Sequence, residues 1–153
     1  MHEVYAHEHP QAEGLSSIFL AGPSPRNAED YNWRPEALEH LRKKNFSGVV
    51  YIPLTRDGIW LPNYNAQAEW EWKYLERTDV IAFWIPRDLE SLPGFTTNVE
   101  FGLYVKSGKV VLGFPEGAPK IRYMQLLAEA NGVRVCHTLA DTLDAAIALL
   151  SKR

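Results

Sequence analysis

Apolar residues along this chain gather in five short, unbroken runs, at 17–21, 48–53, 79–86, 109–115 and 133–137. The runs are rich in Val, Ile and Phe and do not alternate with polar residues. That is the pattern of parallel strands covered on both faces. Each run precedes a segment with helical spacing, which predicts helices over about 34–44, 64–77, 97–107, 120–131 and 140–151. Strand–helix alternation repeated five times argues for one three-layer α/β domain over 17–153 with right-handed crossovers. The expected sheet is five-stranded and parallel, in the flavodoxin- or Rossmann-like order 2-1-3-4-5, with helices on both faces. A ligand then belongs at the switch point between the first and third strands. Residues 1–16 are polar, rich in His and Glu and without periodicity, and are expected to be a flexible lead-in.

Composition narrows the partners. The 153 residues carry a net charge of −3, 46% are hydrophobic and 23% are charged, ordinary values for a globular domain. No basic stripe exists beyond Arg42-Lys43-Lys44, so polymeric nucleic acid is not an expected partner. No stretch approaches the ~20 apolar residues of a membrane span. The single cysteine, Cys136, lies in an apolar run and reads as a small buried group. With no disulfide and no leader-like segment, the expected location is cytoplasmic. His2, His7 and His9 have no helix or cysteine pair to fix a metal, and no cofactor or metal site is expected. Trp70, Trp72 and Trp84 crowd the middle of the chain and suggest a stacking pocket or a subunit seam as well as core.

The loops after the first four strands share one rim. The first contains Gly22, Ser24 and Arg26: a glycine lets backbone approach a ligand, and the other two suit a hydroxyl or phosphate. Neither a G-x-G-x-x-G nor a P-loop pattern occurs. The second loop contains Asp57, suited to a base edge, and Trp60, suited to stacking; Asp57-Gly58 is equally a common turn. On the second helix Tyr64, Ala68, Glu71 and Leu75 fall on one face, which places a carboxylate among inward positions. Glu71 is therefore either functional or a structural acid paired with an arginine. Glu100 opens the third helix, and Thr97-x-x-Glu100 also spells a capping box. A helix N-terminus would hold Glu100 ionised, as a nucleophile requires. Glu71, set among apolar neighbours, is the carboxyl expected to be raised and to act as acid.

Three pieces of this chain resemble the nucleoside deoxyribosyltransferase family: Ile18-Phe19-Leu20-Ala21-Gly22-Pro23, the strand at 79–86, and Asn98-Val99-Glu100-Phe101-Gly102 followed by Ser107-Gly108-Lys109-Val110-Val111. The likeness spans residues 17 to 115. It implies that Glu100 is the nucleophile, forming a glycosyl ester at the anomeric carbon, and that Glu71 is a helix acid beside the base or nucleophile. Asp57 falls near a base-contacting position, and Asn98 lies within the nucleophile motif. Phe19 stands where the family often has Tyr, and Gly94 where it has a sugar-binding Asp, a departure from base exchange on unphosphorylated deoxynucleosides.

A related branch hydrolyses nucleoside 5′-monophosphates, for which Ser24, Arg26, Thr96 and Thr97 would supply phosphate contacts. The resemblance also implies homo-oligomers in which a neighbour completes the pocket, with Trp60, Trp70 and Tyr104 suited to the seam. The expected function is cleavage or transfer at an N-glycosidic bond of a nucleoside or nucleotide. The alternatives are a non-catalytic nucleotide-sensing module and a flavin carrier.

Overall fold

A computed structural model describes residues 1–11, 14–58 and 63–152. In chain order the elements are β1 (His2–Tyr5), β2 (Ser17–Ala21), α1 (Arg34–Lys43), β3 (Val49–Ile52), α2 (Tyr64–Arg77), β4 (Val80–Trp84), α3 (Phe95–Tyr104), β5 (Val110–Gly113), α4 (Arg122–Ala130), β6 (Arg134–Cys136) and α5 (Leu139–Leu150). The strands form one parallel sheet in the order β1-β3-β2-β4-β5-β6. The five expected strands take the expected 2-1-3-4-5 order, and the three-layer class holds. None of the described helices is long and apolar enough to cross a membrane.

The sheet has six strands, not five. The sixth is β1, from the segment expected to be a lead-in. It pairs with β3 from His2 opposite Val49 to Tyr5 opposite Ile52. Hydrogen bonds from His2 N to Gly48 O and from Ala6 N to Leu54 O, both 2.9 Å, extend the pairing. Val4 and Ala6 are buried. Residues just beyond are also held: Trp70 Nε1 donates to Glu8 O at 2.8 Å, and His9 Nδ1 lies 2.8 Å from Tyr74 Oη. Edge strands show weak apolar patterning because only part of their surface meets the core.

Alternate side chains of the central strands enter different layers, as the pleat requires. Phe19, Ala21, Ile81, Phe83 and Leu112 meet α2, α3 and α4 through Trp70, Tyr74, Phe101 and Met124. Ile18, Leu20, Val80, Ala82 and Val111 meet α1 and α5 through Trp33, Leu38, Leu41, Leu139 and Leu143. Cys136 is buried in this second layer.

Two contacts matter for function. Phe101 stands edge-on to Phe83, with ring centroids 5.3 Å apart. Fully burying such a ring is worth ~1.5–3 kcal/mol, so it anchors α3 on β4. Trp33 Nε1 donates to Pro23 O at 3.0 Å, pinning the loop after β2 to the start of α1.

Candidate active site

Strands β2 and β4 are neighbours from which the chain departs in opposite directions along the sheet, which opens a crevice beyond their C-terminal ends. Gly22 turns the chain sharply there, at φ 149°. A Cβ on it would lie 2.1 Å from the Trp84 carbonyl oxygen, so no other residue fits without moving the sheet. Across the crevice α3 is capped by Gly94 in the left-handed conformation at φ 64°. A Cβ at this position would meet Pro23 Cγ at 2.7 Å. The absence of an aspartate at Gly94 is thus built into the close approach of two loops.

This geometry overturns the capping-box reading. No side chain caps α3; Thr97 is its third residue and is buried, and Glu100 turns inward. Glu100 is the sixth residue of the helix, beyond the turn over which the dipole acts.

A pocket of about 220 Å³ is lined by Gly22, Ser24, Arg26, Tyr64, Gln67, Glu71, Gly94, Thr96, Thr97 and Glu100 among others. The two acids expected to be functional therefore meet in one cavity. Burial is the main cause pushing the Glu100 carboxyl up, to about 8; the Glu71 charge and a hydrogen bond with Glu71 add to it, and Arg34 opposes it. Glu100 was expected to be held ionised by the helix N-terminus; burial instead favours its protonated form. Glu71 is half-buried and accepts a 2.6 Å hydrogen bond from Gln67 Nε2. Two carboxyls in hydrogen-bond contact share a proton and titrate as a unit.

Arg34, 1% exposed, approaches from α1. It donates from Nε to Leu20 O (3.3 Å), from Nη2 to Gly22 O (2.9 Å) and from Nη1 to Pro23 O (3.4 Å). Burial brings its pKa down to about 10, opposed by the charges of Glu71 and Glu100, and it stays cationic at neutral pH. Neither Arg34 nor Gln67 was singled out from the sequence. Arg34 did carry a usable signal, since it shares one face of α1 with Leu38 and Leu41, a charge on an apolar stripe. Gln67 carried none.

The remaining expected residues disperse. Phe19 is a core side chain packed on Trp70 at 6.1 Å and does not line the pocket. Asp57 lines a neighbouring cavity of about 480 Å³, which Arg26 and Arg34 also border. Asn98 lies on the exposed side of α3, where its Oδ1 accepts from Arg87 Nη2. Trp60 lies outside the described residues. Trp70 is buried in the core and so is unavailable to a subunit seam. Tyr104 is half-buried, its hydroxyl donating to Glu76 Oε2 at 3.3 Å.

A larger groove of about 1170 Å³ runs along β6, but it lies away from the carboxyl pair. Its acids are engaged locally, Asp141 by Thr138 and Asp144 by His40 and Lys44.

A doubly wound parallel sheet with a carboxyl pair in a pocket at its switch point defines a Rossmann-like α/β protein. The chain belongs to the nucleoside 2-deoxyribosyltransferase like family, whose model matches residues 15–118. That span holds β2 through β5 and every residue of the carboxyl pocket. No curated protein gives a significant match to the chain.

Proposed function

We propose that the protein breaks or transfers the N-glycosidic bond of a nucleoside or its 5′-monophosphate by double displacement through a glycosyl-Glu100 ester. The observation that carries this reading is the desolvated Glu100 in contact with Glu71 inside a pocket with polar walls. The pair supplies both groups the reaction needs, an attacking carboxylate and a proton. The proton resting on Glu100 passes to Glu71 as the sugar displaces water. The Glu100 carboxylate then bonds to the anomeric carbon while the carbon–nitrogen electron pair leaves with the base. Glu71 hands its proton to the departing nitrogen. An acceptor, water or a second base, attacks the anomeric carbon and loses its proton to the Glu71 carboxylate, while the carbon–oxygen bond breaks and its electron pair returns to Glu100.

Ser24, Arg26 and Thr96 at the rim suit a 5′-phosphate. The Arg26 side chain has no hydrogen-bonding or ionic partner among the described residues, which leaves its charge to a ligand. A second cavity shares Tyr64, Gln67, Glu71, Phe95 and Thr96 with the first and continues along α2 and α3. With the sugar over the carboxyls, the base extends into it between Tyr64 and Phe95.

The same surface supports assembly with a second copy. Tyr64, Trp72, Phe95, Val99 and Leu103 are each between 60% and 72% exposed and line adjoining faces of α2 and α3. Single copies rarely expose so continuous an apolar patch.

The test is base release from a panel of nucleosides and 5′-monophosphates, followed by chromatography. Glu100→Ala is expected to lose at least ~1000-fold in turnover while its circular dichroism is unchanged. Full activity in that variant removes Glu100 from the chemistry. No base from any substrate, with ligand-induced thermal stabilisation, assigns the pocket to sensing instead.

A further inference from the structure

Arg34 stands against two ordinary preferences at once. It is the first residue of α1, where the positive pole of a helix disfavours a cation. It is also fully buried, where a guanidinium needs compensating charge. Yet no described carboxylate forms a direct ion pair with it. Its fork instead grips the Leu20, Gly22 and Pro23 carbonyls, and its plane lies 4.6 Å from the Trp33 ring centroid. The charges that act on it are those of Glu71 and Glu100. Gly22 and Pro23 wall the carboxyl pocket, whereas Arg34 borders the cavity on the other side of that loop.

We infer that Arg34 is a positioning residue for the carboxyl pair: it fixes the Gly22–Pro23 wall and, from behind it, supplies the charge that keeps the pair at one shared proton instead of two. Three carbonyl dipoles hold the cation in place without neutralising it, so its field still reaches the acids. A carboxylate in place of those carbonyls would have cancelled that field. The other groups facing Glu100 do not replace it. Arg26 sits at the exposed rim, Glu71 is an acid, Tyr64 and Tyr104 are phenols, and Tyr104 lies on the same helix as Glu100. The inference deepens the proposed reaction and rests on it for its catalytic meaning; the titration that tests it needs no turnover.

The experiment follows the side-chain carboxyl carbons of the full chain, labelled at glutamate, by NMR as pH is varied, with Glu100→Gln used for assignment. In Arg34→Gln, whose amide still donates to carbonyls, the lower midpoint of the pair, at which two protons become one, is expected to rise by about one pH unit, a tenfold change in proton affinity. Arg34→Lys keeps the charge and loses the fork, and its midpoint is expected within about half a unit of the parent. A rise below half a unit in folded Arg34→Gln overturns the inference, as does a Lys variant that shifts as far as the Gln variant. If Arg34→Gln does not fold, the Lys variant decides alone: a shift of half a unit or less supports the charge role, and a larger one overturns it. Base release should show the same displacement in its pH profile. A moved titration with no base release from any variant keeps the Arg34 role and sinks the reaction instead.

Discussion

Glu100 binds its proton more tightly in the folded protein than an ordinary glutamate does, at about 8 against 4.5. Between those values the folded state holds more protons than the unfolded chain, so this residue's contribution to stability falls as pH rises. The contribution is fully present below the unfolded value and lost as pH climbs through the folded one. Glu100→Gln removes the ionisation but keeps the shape and a donor for Glu71. The variant should therefore gain on the parent as pH goes from 5 to 8, by on the order of 2 kcal/mol at the alkaline end. Urea unfolding at both pH values checks this; an equal difference at the two sinks it.

At this scale both acids were legible in the sequence, Glu71 as a carboxylate on an apolar face and Glu100 as an acid near a helix start within a family-like motif. Their roles were not. Burial by loops distant in sequence raises the Glu100 carboxyl, which the helix start alone was expected to hold ionised. Arg34 has a stripe signal too, sharing one face of α1 with Leu38 and Leu41.

Among the elements, β2 to β5 announced themselves because both faces are buried and each run is strongly apolar, while β6 showed through the run at 133–137 although Arg134 is exposed. β1 did not, since a four-residue edge strand buries little beyond Val4. Helix α2 was found, but its inward face was read about one position off. The buried side chains are Gln67, Trp70, Tyr74 and Leu75, whereas Tyr64 and Trp72 point outward. Glu71 lies at the border of the two faces, which is why both readings included it.

The edge strand carries a prediction of its own. Deleting residues 1–9 removes the Val4 and Ala6 burial, the Trp70–Glu8 hydrogen bond and the Arg56–Glu8 ion pair, and bares the β3 edge. Loss of one buried Val and one buried hydrogen bond comes to roughly 2–4 kcal/mol. At this chain length that is a fall of about 5–15 °C in Tm. Calorimetry should show it together with edge-driven aggregation. An unchanged Tm would mean that β1 is dispensable.

On the scale of the whole molecule, the carboxyl pocket opens onto the apolar faces of α2 and α3, whose large side chains no other described residue covers. Tyr64, Ala68 and Trp72 recur every four residues on α2, and Phe95, Val99 and Leu103 do the same on α3, so each helix presents one stripe. The five large side chains together expose roughly 600–700 Å², close to the ~800 Å² that each partner contributes to a stable interface. A second copy meeting this face about a twofold axis satisfies the patch with itself. Such a copy would also close the cavity between Tyr64 and Phe95 and exclude water from the carboxyl pair. The seam is then part of the site, and activity should follow assembly. Trp72→Glu with Val99→Glu places charges in the middle of the interface, next in sequence to Glu71 and Glu100 but at outward positions already exposed in the single chain. Light scattering should show the parent as a dimer or larger and the double variant as a single chain. Its circular dichroism should be unchanged, and its kcat/KM for base release should fall at least ~10-fold. A parent that already runs as a single chain, or a dissociated variant with undiminished turnover, would show that the pocket is complete within one chain.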